Sequence, residues 1–173
     1  TTEDVFSLLD NLLKWTKSQI GKLKVVYQNI GMVEVVEGVS EIFTMVAGLK
    51  NIRIAMDIPD ERVEVRADID MIKTVIRNLI SNAIKFSNEG SEVLVSLKEE
   101  DNMAVVSVKD SGCGIDEENQ KKLLHTDTHF STFGTNNEEG SGLGLLLCKD
   151  FVTKNGGELW FTSKKEEGST FSF

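Results

Sequence analysis

Apolar residues recur three and four apart from Glu3 to Leu23, where Val5, Leu8, Leu9, Leu12, Leu13, Ile20 and Leu23 crowd one side of a helix. The pattern changes at Tyr27. Val35, Val36, Val39, Ile42, Phe43 and Val46 give helical spacing over Met32 to Gly48, with Gly48 placed to end the helix. Arg53 to Ile58 alternates as a strand until Pro59-Asp60, and Val63 and Val65 carry a second short alternation. A long helix is expected from about Asp68, its N-cap, to Phe86, with Ile72, Ile76, Leu79, Ala83 and Phe86 on its apolar face. Val93, Val95 and Leu97 alternate next; Glu99-Glu100-Asp101-Asn102 makes a turn; Met103 to Lys109 returns as the strand that delivers Asp110. Asp116 can cap a brief helix to Leu124. A helix from Gly142 to Lys154 is stopped by Asn155-Gly156-Gly157, and Glu158–Ser163 and Ser169–Phe173 close the chain as a strand pair.

About three helices against five or more strands of mixed direction predict an α+β fold: a two-layer α/β sandwich, its mixed sheet of five strands or slightly more carrying the helices on one face, plus the N-terminal helix. Residues 125 to 141 have only Phe130 and Phe133 as large apolar groups, too few to bury a core, so this segment is expected to be mobile.

The 173 residues can hold one ordinary core and a small appendage. A net charge of −9 argues against nucleic acid as a partner. No apolar run is long enough to span a membrane and no signal peptide is visible, so this stretch is expected in the cytoplasm, any membrane anchor lying upstream. Two cysteines, Cys113 and Cys148, make neither a disulfide framework nor a zinc site, which fits a reducing compartment. A start at Thr1-Thr2 without Met points to a piece of a longer protein.

Candidate chemistry begins with two glycine loops. Gly140-Ser141-Gly142-Leu143-Gly144 runs into the apolar helix start Leu145-Leu146-Leu147-Cys148, so unpaired N–H groups and a positive dipole end would face a phosphate. In Asp110-Ser111-Gly112-Cys113-Gly114-Ile115 an acid precedes the glycines; it would repel phosphate but can accept a hydrogen bond from the exocyclic amine of a purine. Each loop by itself fits an ordinary turn or helix cap equally well. On the long helix Asn78, Asn82 and Lys85 lie within an arc of about 60° beside the apolar face. An Asn carbonyl oxygen can complete the shell of a Mg²⁺ bound to phosphate and water, and Lys85 can reach a phosphate; equally, both amides could satisfy nearby backbone.

Together, Asn78-Leu79-Ile80-Ser81-Asn82-Ala83-Ile84-Lys85-Phe86, Asp110-Ser111-Gly112-Cys113-Gly114-Ile115, Phe130-Ser131-Thr132-Phe133 and Gly140-Ser141-Gly142-Leu143-Gly144 resemble, in order, the N, G1, F and G2 boxes of sensor histidine kinases. Their catalytic domains belong to an ATPase superfamily shared with type II topoisomerases, mismatch-repair ATPases and a heat-shock chaperone. The resemblance covers residues 30 to 173. It implies ATP with Mg²⁺ as cofactors, Asn82 as the metal ligand, and Asn78 and Lys85 as the catalytic pair with Lys85 on a phosphate. It further implies nucleotide contacts from Phe86, Asp110, Gly112, Gly114, Ile115, Phe130, Thr132, Phe133, Gly140, Gly142, Leu143 and Gly144, and from Thr170 at the adenine edge. Residues 125 to 141 then correspond to the ATP lid. Residues 1–26 correspond to the second helix of a dimerisation hairpin with its linker, and 27–173 to the catalytic domain.

The implied activity is transfer of the γ-phosphoryl of Mg-ATP to an acceptor His outside this stretch, since His125 and His129 both fall in the lid segment. The implied partners are the protein's own phosphoacceptor domain, a response-regulator receiver and, in the full-length protein, a second copy in a homodimer. Two departures matter. Many family members carry an Arg in or after the F box, yet no Lys or Arg stands between Lys122 and Lys149 here. That favours an alternative, a nucleotide-gated interaction module or degenerate kinase that binds ATP without transfer. Hydrolytic cousins place a Glu where this chain has Asn78, which cannot act as a base near pH 7, so a hydrolase is the least favoured reading.

Overall fold

A computed structural model describes residues 2–19, 21, 23–123 and 143–173. Helix α1 spans Thr2–Gln19, ending four residues earlier than the apolar pattern indicates, where Gly21 takes a left-handed φ of +70° and donates back to the Ser18 carbonyl. Strand β1 (Gln28–Gly31) feeds α2 (Met32–Gly48), followed by β2 (Arg53–Asp57), β3 (Glu64–Ala67) and α3 (Ile69–Phe86). Asp68 caps α3 as expected, its side chain accepting from the N–H groups of Asp70 and Met71, both at 3.1 Å. After α3 come β4 (Glu92–Glu100), β5 (Met103–Asp110), the one-turn α4 (Glu117–Gln120) capped by Asp116, α5 (Leu143–Lys154), β6 (Trp160–Lys164) and β7 (Gly168–Ser172).

Five strands form a mixed sheet in the order β2-β4-β5-β7-β6, parallel at β2/β4 and antiparallel elsewhere. Asp101 and Asn102 both adopt positive φ, so a two-residue turn joins β4 to β5 with the twist an antiparallel pair needs. One sheet face (Val93, Val95, Leu97, Val106, Val108) packs on α2, α3 and α5 through Val36, Ile76, Ile80, Leu147 and Phe151. This is the two-layer sandwich with three helices on one face. β1 pairs separately with β3. Gln28-Asn29-Ile30-Gly31 has no alternation of its own, which is why the sequence pattern does not show this strand.

The apolar stripe of α1 does not pack on the domain. Val5, Leu8, Leu9, Leu12 and Leu13 are 42–55% exposed, while Asn11 and Ser18 are buried. The inward side of α1 sets Trp15 against the core beside a polar seam in which Lys14 donates to Thr74 Oγ1 of α3 at 3.1 Å. Ser18 bonds to the Asp150 carboxylate of α5 and receives a hydrogen bond from Lys154 at 2.5 Å.

Candidate functional site

The C-terminal end of α3 and the loop after β5 meet. Asp110 is buried at the end of β5, in register with Ser169 of β7, and its Oδ1 accepts from the Gly112 N–H at 2.9 Å. Burial pushes its carboxyl above the usual carboxylate range, opposed by the backbone N–H groups of Gly112 and Ser169. A carboxylate offers about four acceptor positions, so capacity remains for a ligand donor. The glycines permit the loop's path. A Cβ on Gly112 would stand 1.9 Å from the Phe86 carbonyl oxygen, and one on Gly114 (φ +65°) 2.0 Å from the Lys164 carbonyl oxygen. Gly112 therefore wedges against the last residue of α3 and Gly114 against the β6–β7 hairpin. The Cys113 N–H donates to the Phe86 carbonyl at 3.3 Å, and the Ile115 N–H to Ser163 Oγ at 2.8 Å.

Asn82 lies one helical turn before Phe86, half-buried, and no hydrogen bond to its amide is found among the described residues. Lys85 places its ammonium 4.8 Å from the Phe86 ring centroid. Asn78 is committed: its Nδ2 donates to the Thr74 carbonyl at 2.8 Å and its Oδ1 accepts from Asn11 of α1 at 3.1 Å. Gly144, in the first turn of α5, faces the same amide, since a Cβ there would lie 3.0 Å from Asn78 Oδ1. Leu143 is buried at the start of α5.

The fold thus brings Gly144 to Asn78 in the middle of α3 and Gly112, with Asp110 beside it, to Phe86 at the helix end, with Asn82 between the two along α3. Thr170 is not brought there. It pairs with Lys109, so strand alternation turns it to the sheet face opposite Asp110, and Ser169 occupies the place beside the carboxylate. Only the register of β5 with β7 distinguishes the two, and the motif Gly168-Ser169-Thr170-Phe171 alone does not carry it. Lys50, immediately after the α2 end, is the other residue the sequence pattern passes over: it is buried against the C-terminal turn of α3. Phe130, Thr132, Phe133, Gly140 and Gly142 lie outside the described residues.

Known proteins share this fold and its sequence. Residues 67–173 match the family described as histidine kinase-, DNA gyrase B-, and HSP90-like ATPase. The adaptive-response sensory kinase SasA of Crocosphaera subtropica is 33% identical over 167 residues, which are 96% of this chain and 43% of that protein. The sensor histidine kinase WalK of Bacillus subtilis is 30% identical over 99% of this chain and 28% of its own length. The chain therefore spans less than half the length of these curated relatives. The catalytic domain of histidine kinase ThkA superposes with a TM-score of 0.73 at 28% identity, covering 86% of this chain and 93% of that one.

Proposed function

This chain belongs to the histidine kinase-, DNA gyrase B-, and HSP90-like ATPase family, and we propose that it is the ATP-binding catalytic domain of a sensor histidine kinase. In this reading it transfers the γ-phosphoryl of Mg-ATP to an acceptor His outside residues 1–173, for onward transfer to a response-regulator Asp. The observation that carries it is the junction of α3 with the loop after β5. Gly112 packs on the Phe86 carbonyl, which brings the buried acid beside it, able to take a purine amine, to the end of the helix that carries the unengaged Asn82 amide.

Mg²⁺ fits the donor set. Among the described residues no three His, Cys, Asp or Glu side chains gather to cage an ion. Asn82 offers one hard oxygen, the remaining ligands being phosphate and water, as this ion prefers. Bound there, Mg²⁺ would neutralise charge on the phosphates during transfer. Asp110 would orient the base, and Lys85 would meet a phosphate. Asn78 favours transfer over hydrolysis: an amide cannot take a proton from water near neutral pH, whereas a neutral imidazole attacks phosphorus with a lone pair already free.

The absence of Lys and Arg between Lys122 and Lys149 favours a second reading, a domain that binds ATP without transfer and gates an interaction. One assay separates the two. Incubation with γ-labelled ATP, Mg²⁺ and a dimerisation hairpin bearing the acceptor His yields acid-labile label on the hairpin if the chain is a kinase. Nucleotide binding with an unlabelled hairpin supports the second reading.

A further inference from the structure

Lys50 stands just past Leu49, the C-cap of α2, and is only 7% exposed. Its Nζ donates to the carbonyls of Ile84 at 3.1 Å and Lys85 at 2.9 Å, in the last turn of α3. These belong to the last four carbonyls, which a helix end tends to leave without intrahelical partners; that of Ile84 also accepts a long bond from the Ser87 N–H at 3.3 Å, and a cation there complements the negative end of the helix dipole. The neighbouring carbonyls are taken as well: Ala83 by Ser87 Oγ at 2.6 Å, and Phe86 by the Cys113 N–H of the loop after β5 at 3.3 Å. The end of α3 is thus fixed from two sides, by the Lys50 ammonium within its last turn and by the glycine loop at its last carbonyl. Burial raises the pKa of the Cys113 thiol in that loop; Asp110 adds to the rise and Lys50 opposes it.

We propose that Lys50 is a positioning residue for the nucleotide: without touching it, Lys50 fixes the spacing between Asn82 on α3 and Asp110 in the loop. This rests on the ATP-site reading above. Holding two binding groups at a set separation makes the second contact effectively intramolecular, so a ligand using both suffers most when the spacing loosens. Adenosine uses Asp110 alone; Mg-ADP uses Asp110 and Asn82 together.

The test compares the two ligands in the full chain and in Lys50→Arg, Lys50→Gln and Lys50→Met, with calorimetric titration for Mg-ADP and NMR shift titration for adenosine. Lys50→Met should weaken Mg-ADP about tenfold and leave adenosine within about twofold. Lys50→Gln should fall between, and Lys50→Arg, which keeps charge and donors, should stay close to the parent. Equal weakening of both ligands, or of neither, overturns the inference by reducing Lys50 to a helix cap. So does loss of folding in both Lys50→Gln and Lys50→Met, which would make it a residue of the fold alone. If the parent chain binds neither ligand, the ATP-site reading itself fails, a result distinct from all of these.

Discussion

Asp110 carries opposing demands. Burial raises its carboxyl pKa from the ordinary value of 3.8, so between that value and the folded pKa the folded chain keeps a proton that the unfolded chain has released. Its contribution to stability is therefore present at acid pH and is lost as pH rises through the folded pKa. In the proposed reading the ionised form is the one that accepts from a purine amine, so affinity for the base should rise where this contribution to stability falls. Asp110→Asn should leave the free domain at least as stable at pH 7 by thermal unfolding. It should weaken ADP by roughly ten- to a hundredfold, the scale of a charged hydrogen bond worth about 1.5–3 kcal/mol. The candidate acid was legible in the sequence because it precedes Gly112 and Gly114 at the end of an alternating run. Its neighbour was not: nothing local distinguishes Ser169 from Thr170, and the choice depends on a pairing between residues far apart in sequence.

Among the elements, α3 was the most legible, because its periodicity is long and Asp68 marks its start. β1 and the polar seam of α1 were not. A four-residue strand has too little pattern, and a helix whose apolar side faces outward inverts the usual rule for a surface helix. Glycines in different elements offer a clean comparison. Gly112→Ala drives a Cβ to 1.9 Å from the Phe86 carbonyl oxygen and should cost about 1–3 kcal/mol of stability together with ADP binding. Gly38, exposed within α2 with nothing within 4 Å of its Cβ position, should behave oppositely: Gly38→Ala raises stability by about 1 kcal/mol in denaturant unfolding and leaves ADP affinity unchanged.

At the scale of the molecule, the sheet and its three helices form a frame that holds two distant stretches of sequence against each other. The loop after Asp110 leaves the middle strand of the sheet, Asn78 and Asn82 ride on α3, and Gly144 lets α5 close beside Asn78. Among the described residues no helix is long and apolar enough to cross a membrane. The polar seam joins α1 to α3 and α5 at Asn78, Thr74 and Asp150, so movement of α1 would register directly at the middle of α3 and on α5. The most direct measurement is a calorimetric titration of Mg-ADP into the parent chain, Asn82→Ala and Asp110→Asn. One nucleotide should bind per chain, each substitution should weaken it about tenfold or more, and withdrawing Mg²⁺ should matter far less for Asn82→Ala than for the parent. No heat of binding to the parent chain, or unchanged affinity in both variants, would contradict a purine at Asp110 and a metal-bound tail at Asn82.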